Sequence, residues 1–406
     1  MEALRRGVET LLPEGELERR LGRPLRVKLG VDPTAAQVHL GWAVVLRKLR
    51  QFQELGHTAV LIVGDFTAQV GDPSQQSDTR KRLSVAEVRG FAAACLGGLR
   101  KVLLPERLEV RYNSEWLGSM SMDEVLELAS SFTVARMLDR EDFSQRYAGG
   151  QPISLLEFMY PLLQGMDSVA VRADVELGGS DQLWNLLAAR DIQERYGQQP
   201  QVVMTVPLLV GTDGTRKMSQ SLGNYIGIEE PPEEMFGKVM SAPDQVMPQY
   251  FLLATALPQA EVEQVAAELE RGGLDPNRAK RRLAREIVAL YWGAEAAHQA
   301  EANFDRLFVE HRAPQEVPGH PLPDGDPVWL PGVLRDAGLV ESSSEAKRLI
   351  SQGAIRLEGQ ALQDEEVGRH LLLGRVMQVG KRRFVRLLDP GNTSPPGSVD
   401  DIATGD

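Results

Sequence analysis

A chain of 406 residues, 42% hydrophobic and 25% charged, has the composition of a soluble globular protein and is too long for one small core, so two or three domains are expected. The formal net charge of −12 argues against a nonspecific nucleic-acid coat but leaves room for a local basic face, because salt confines charge effects to about 8–10 Å. One cysteine, Cys95, excludes an internal disulfide and, with only six histidines, argues against a Cys/His metal site; the chain also lacks any apolar run of about 18 residues or a signal-peptide core. These features fit a reducing cytoplasm and no membrane span.

Residues 16–21 predict a short amphipathic helix leading into the first strand. Residues 27–49 (VKLGVDPTAAQVHLGWAVVLRKL) begin as an apolar run, turn at Gly30 and Asp32-Pro33-Thr34, and restart as an amphipathic helix near Val38. That pattern is a buried parallel strand feeding a helix N-terminus, where free N–H groups and the helix dipole favour a phosphate. His39 and Gly41 on the first turn offer a donor and close backbone approach. Residues 57–63 form a second β-branched strand, ending in the loop 64–74 (GDFTAQVGDPS). Strand, helix, strand and a Gly-containing loop predict an α/β fold with a doubly wound parallel sheet, with its ligand outside the carboxyl ends of the strands. Residues 86–168 carry helical patterns, interrupted by a strand signal at 108–112. Residues 173–185 (ADVELGGSDQLWN) read as strand and then loop, and 202–210 as a further buried strand. The polar loop 214–224 (GTRKMSQSLGN) follows, with two cations and several hydroxyls.

Residues 241–308 are helical and include the basic run Arg278, Lys280, Arg281, Arg282 and Arg285. Residues 312–331 hold Pro314, Pro318, Pro321, Pro323, Pro327 and Pro331, a linker composition. Residues 332–388 form a compact unit with a capped amphipathic helix from Ser343, then Gly353 and a strand at 354–357. Lys347, Arg348, Arg356, Lys381, Arg382, Arg383 and Arg386 give that unit a local basic face, although a charge run also suits a solvated helix. The tail from Pro390 is Pro/Gly/Ser-rich and acidic, the composition of disorder.

One histidine and one glycine on a helix turn are as compatible with core packing as with a site. A lysine loop opposite a helix-terminus phosphate site, however, suits a reaction that develops charge on a triphosphate. Tyr160, Gln164 and Asp167, at i, i+4 and i+7, share a helix face in an apolar context, which would equally serve as a polar stripe satisfying nearby backbone.

Together, HLGW at 39–42 and KMSQS at 217–221 resemble the paired HIGH and KMSKS motifs of the class I aminoacyl-tRNA synthetases. The surrounding residues are similar to the bacterial tyrosyl-tRNA synthetases, in the branch whose first motif reads LGxDPTxxxxHLGH, and the resemblance runs from about Leu11 to Leu388. It implies a Rossmann-type catalytic domain over 1–228 with a helical connective insertion at about 86–168 carrying a dimer interface. It further implies an α-helical anticodon-side domain at 229–312, a linker at 313–331, and at 332–389 a small α+β RNA-binding domain like one of a ribosomal small-subunit protein. By the same resemblance His39, Lys217 and Gln220 are catalytic, and Gly41, Trp42, Asp181, Met218 and Ser219 bind ATP. Tyrosine is held by Asp32, Thr67, Asp72, Tyr160, Gln164, Asp167 and Gln182, with Asp167 at the phenol hydroxyl. Lys347, Arg348, Arg356, Lys381, Arg382 and Arg383 bind RNA. The implied partners are L-tyrosine, ATP with Mg²⁺, tRNA(Tyr) and a second copy of the chain, with no tightly bound cofactor, no resident metal, no DNA and no membrane.

The sequence departs from the family pattern at several positions. Trp42 replaces a second histidine, Gln220 the second lysine of KMSKS, and Gln75-Gln76 a Gly-Arg or Gly-Lys pair; Lys28 stands where many members place a phenol-binding tyrosine. Loss of two transition-state contacts costs on the order of 10⁴-fold, at about 3 kcal/mol each. Two alternatives therefore stay open: a catalytically weakened paralogue acting as an RNA-binding or regulatory protein, and a small-molecule nucleotidyltransferase with a similar phosphate motif.

Overall fold

The aliphatic and β-branched runs of the first 210 residues form the expected sheet. The computed structural model describes residues 1–33, 37–73, 85–310, 317–380 and 383–390. Six strands, β1 (Thr10–Leu12), β2 (Arg26–Val31), β3 (Thr58–Val63), β4 (Leu108–Tyr112), β5 (Val175–Gly179) and β6 (Val202–Val206), join in the order β1-β6-β5-β2-β3-β4. β1 is antiparallel to β6 and the other pairings are parallel. Parallel strands are covered on both faces and so read as continuous apolar runs, as in β3, where Ala59, Val60, Leu61 and Ile62 are at most 1% exposed.

From β2 the chain winds outward through β3 and β4, then returns to β5 on the other side of β2. The crevice at the carboxyl ends of β2 and β5 is therefore the switch point where such sheets bind ligands. Three helices frame it. α1 (Leu40–Glu54) buries Leu40, Ala43, Leu46, Leu49 and Phe52 against the sheet. α2 (Leu155–Val171) starts with a reciprocal capping box between Ser154 and Glu157 and carries Tyr160, Gln164 and Asp167. α3 (Leu183–Arg195) packs on α2 through Gly165, where an added Cβ would lie 3.3 Å from the Ala189 Cα and run into Ile192.

Some local expectations shift. The strand expected over 202–210 stops at Val206, because Pro207 cannot continue the ladder. The loop expected through Asn185 ends at Gln182, and Leu183-Trp184-Asn185 begin α3.

The chain divides into two compact units, residues 1–297 and 298–406. The helices Pro232–Ser241, Met247–Ala254, Gln259–Glu270 and Pro276–Trp292 belong to the first unit with the sheet. No seam falls at 228/229: the Tyr250 hydroxyl donates to the Val210 carbonyl at 2.8 Å, and the Arg6 guanidinium donates to the carbonyls of Phe251, Leu252 and Thr255.

In the second unit, β7 (Gly319–Pro321), β9 (Ile355–Leu357), β10 (Gln360–Ala361), β12 (Val376–Val379) and β13 (Arg383–Leu388) form a sheet ordered β10-β9-β12-β13-β7, while β8 (Val328–Trp329) pairs with β11 (Glu366–Val367). The helix Ser343–Ser351 is capped by Ser342, whose hydroxyl accepts from the Glu345 N–H at 3.2 Å. The expected linker is corrected here. Over its described part, 317–331, the proline-rich stretch is folded, with Leu322, Val328 and Leu330 at most 2% exposed in the core. Two of its prolines sit where no N–H is needed: Pro321 on the edge strand β7 and Pro331 in the first turn of the helix Leu330–Asp336. Thr34, Ser74, Gln75, Gln76, residues 313–316, Lys381, Arg382 and the tail from 391 lie outside the described residues.

Candidate active site

A cavity of about 500 Å³ occupies the switch point, within the size range of small-molecule sites. Its lining includes every residue expected to act on ATP or tyrosine: Asp32, His39, Gly41, Trp42, Thr67, Asp72, Tyr160, Gln164, Asp167, Asp181, Gln182, Lys217, Met218, Ser219 and Gln220. They come from the ends of β2, β3 and β5, the starts of α1 and α3, one face of α2, and the 214–224 loop.

One end of the cavity is a buried carboxylate pocket. Asp167 is 3% exposed and accepts from Trp116 Nε1 at 2.9 Å and Asn113 Nδ2 at 3.3 Å. Burial pushes its pKa up to about 7, against the opposing pull of the Lys28 ammonium and the two hydrogen bonds. Asp32 accepts from Thr67 Oγ1 at 2.7 Å and from the Tyr160 hydroxyl at 2.9 Å, and burial likewise pushes it up to about 7. Gln182 Nε2 donates to Asp72 at 2.8 Å, and Gln182 Oε1 accepts from Asn185 Nδ2 at 3.0 Å.

The other end carries hydrogen-bond donors and one lysine. His39, 5% exposed, occupies the N-cap position of α1, with its ring 5.7 Å from that of Trp42 and 6.2 Å from that of Tyr225. Burial lowers its pKa to about 4, so at neutral pH it is an uncharged imidazole able to donate one hydrogen bond. Lys217 Nζ lies 3.2 Å from Asp181 Oδ2, and Gln220 Nε2 donates to the Gln37 carbonyl, drawing the loop onto the segment before α1. Arg216 is not part of the cavity lining and is paired with Asp213 at 2.9 Å. Lys217 is thus the only Lys or Arg lining the cavity among the described residues. A site with carboxylates at one end and a lysine and neutral donors at the other can bind a zwitterion bearing a hydroxyl beside a polyphosphate.

The family model for class I tRNA synthetases (W and Y) matches residues 20–309. The chain is 51% identical over 393 residues to a tyrosine–tRNA ligase of Moorella thermoacetica, covering 95% of each chain. It is 48% identical over 390 residues to tyrosine–tRNA ligase 2 of Vibrio parahaemolyticus, covering 95% of this chain and 97% of that one. The chain belongs to the bacterial tyrosyl-tRNA synthetases of class I. Among solved structures, a tyrosyl-tRNA synthetase of Archaeoglobus fulgidus complexed with L-tyrosine is 25% identical with a TM-score of 0.59, over 74% of this chain and 98% of that one. A C-terminally truncated mitochondrial tyrosyl-tRNA synthetase of Aspergillus nidulans, 23% identical with a TM-score of 0.61 over 75% of this chain and 92% of that one, shares the fold.

This tyrosyl-tRNA synthetase relative also recruits residues that sequence reasoning missed. Asn113 and Trp116 follow the carboxyl end of β4, a position where parallel strands present ligand-site residues, and that signal was legible. Arg140 had none: it sits in the helical insertion, yet is 5% exposed, donates to Asn185 Oδ1 at 2.9 Å and lies 3.9 Å from Asp72. Of the residues expected to bind RNA, Lys347, Arg348, Arg356 and Arg383 are exposed on the second unit. Two are already engaged there, Lys347 with Glu365 at 2.6 Å and Arg383 with the Leu339 carbonyl.

Proposed function

We propose that the protein activates L-tyrosine with ATP, as its magnesium complex, to tyrosyl-adenylate and transfers the tyrosyl group to tRNA(Tyr). The observation that carries this reading is one cavity uniting the Asp167 pocket with the His39 and Lys217 phosphate end. The tyrosine phenol O–H donates to Asp167, while Asp72, Tyr160, Gln164 and Gln182 orient the ammonium and carboxylate. A carboxylate oxygen attacks the ATP α-phosphorus in line, and the bond to the bridging oxygen breaks to release pyrophosphate. No side chain acts as a nucleophile, so the protein's contribution is positioning and charge stabilisation. Neutral His39, the Lys217 ammonium and the Gln220 amide donate to the departing β,γ-phosphates; Asp181 takes the ribose hydroxyls, with Gly41, Trp42, Met218 and Ser219 against the nucleotide. The terminal ribose hydroxyl of the tRNA then attacks the adenylate carbonyl and AMP departs.

In this reading the helices of residues 229–297 face the anticodon side, and the second unit binds RNA through Lys347, Arg348, Arg356, Lys381, Arg382 and Arg383. The active species is a cytoplasmic homodimer. Its interface is the helical insertion, where Met122, Leu126, Val134, Tyr147 and Leu155 are 60–80% exposed, an apolar set that a second copy would cover. ATP–pyrophosphate exchange with each of the twenty amino acids tests the activity: exchange dependent on tyrosine is expected. No exchange with any amino acid would identify a noncatalytic relative, and exchange without an amino acid would identify a different nucleotidyltransferase.

A further inference from the structure

Behind the cavity wall, two charges of opposite sign lie in the apolar interior of the sheet. Lys28 of β2 and Glu176 of β5 are register partners, 0% and 1% exposed, with Nζ and Oε1 2.8 Å apart. A buried ion pair is tolerated only when its remaining polar valences are filled, and here they are. Lys28 Nζ also donates to the Gln164 carbonyl at 2.9 Å and to Ser168 Oγ at 2.8 Å, which uses all three of its protons. Glu176 accepts from Gln164 Nε2 at 3.1 Å, from Ser168 Oγ at 3.0 Å and from Gln201 Nε2.

Among these residues Gln164 alone lines the cavity. Its amide has a donor end and an acceptor end, and which end meets a ligand is a matter of orientation. A carboxylate can only accept, so Glu176 claims Nε2. Oε1 is left as a buried acceptor with no hydrogen-bond partner among the described residues. The main chain of the same residue is tied by Lys28, so backbone and amide are both fixed by one ion pair.

We propose that the Lys28–Glu176 pair is a positioning device for the substrate ammonium, fixing the Gln164 amide with Nε2 turned to Glu176 so that its carbonyl oxygen is the end left to accept from the amino acid. This rests on reading the cavity as a tyrosine site. It makes Lys28 and Glu176 specificity-determining without either touching substrate, and it gives Lys28 a role other than that of the phenol-binding tyrosine often found at its position.

The test is Lys28→Met/Glu176→Gln in the full chain, with folding checked by circular dichroism melting. Once Lys28 is gone, the amide at 176 can present either end and Gln164 is no longer locked. The KM for tyrosine in pyrophosphate exchange then rises about tenfold while kcat changes less than about twofold, as loss of a hydrogen bond to a charged group predicts. Inhibition by 3-(4-hydroxyphenyl)propionate, which lacks the ammonium, is unchanged when both ligands are compared at pH 8.5, where Asp167 stays ionised even though the Lys28 ammonium no longer holds its pKa down. Placed on a Gln164→Ala background, the same double substitution raises KM no further. Equal losses for tyrosine and the des-amino acid, or a full additional tenfold on the Gln164→Ala background, would overturn the assignment. If the first variant does not fold, Lys28→Met/Glu176→Leu, which replaces the pair by apolar side chains, carries the same comparison; failure of both to fold would make the pair a core element and sink the proposal. A wild type without tyrosine-dependent exchange would instead overturn the reading of the cavity itself.

Discussion

Asp167 and Asp32 place two carboxyl groups in one buried pocket, and each has its pKa raised to about 7. For Asp167 the consequence is a pH-dependent selectivity. As pH falls through about 7 it takes up a proton and ceases to be a charged acceptor for a phenol, so the advantage of tyrosine over phenylalanine shrinks; it grows as pH rises through the same range. Measured kcat/KM ratios for the two amino acids between pH 6 and 8.5 will rise with pH. Asp167→Ala will cut tyrosine use about 10–100-fold, the worth of a hydrogen bond to a charged group, and phenylalanine use much less. Equal losses would make Asp167 a scaffold residue. The same shifts act on stability in the opposite sense. Both native carboxyls hold protons that the unfolded chain has released, so between about pH 4 and 7 their contribution to stability falls as pH rises. Urea unfolding of Asp32→Asn beside the wild type at pH 5 and 7.5 will show a smaller decline in the variant. The residue types of the pocket were legible from helix spacing and resemblance. Arg140 was not, because its contact with Asp72 spans 68 positions of chain and depends on how the insertion folds back.

The 214–224 loop is the element on which activity turns. With Gln220 uncharged and Arg216 paired to Asp213, the phosphate end relies on Lys217 for its positive charge. Either cation of the loop could have compensated for Gln220 on the basis of sequence; the Asp213 pairing removes Arg216. Lys217→Ala will therefore lower the rate of adenylate formation by about 10²–10³-fold, whereas Gln220→Lys will raise it about tenfold or less. Rapid-quench measurement of the burst rate distinguishes the two, and a Lys217→Ala variant at wild-type speed would remove the loop from the mechanism. At this scale the strands were the most legible feature, since burial on both faces writes a continuous apolar run. Their ends were less so: the 202–210 run overshot the strand by four residues because apolarity persists beyond Pro207, where hydrogen bonding stops.

For the whole molecule, proline content misdirected the reading of the second unit. Pro321 and Pro331 are accommodated at an edge strand and a helix start, so a stretch with linker composition contributes Leu322, Val328 and Leu330 to a core. Composition reports which backbone donors are missing, not whether they are needed. Ending the chain after residue 310 will consequently leave a folded first unit with full tyrosine-dependent pyrophosphate exchange, while tRNA charging falls about tenfold or more as phosphate contacts are lost. Unchanged charging would remove the second unit from tRNA binding.

The account depends most on tyrosine and ATP reacting in the switch-point cavity despite Trp42 and Gln220. Single-turnover formation of tyrosyl-adenylate by the wild-type protein tests this directly. Enzyme-bound adenylate forming with tyrosine and magnesium ATP, and strongly suppressed in Lys217→Ala, is the predicted result. A wild type that binds tyrosine yet forms no adenylate would contradict it.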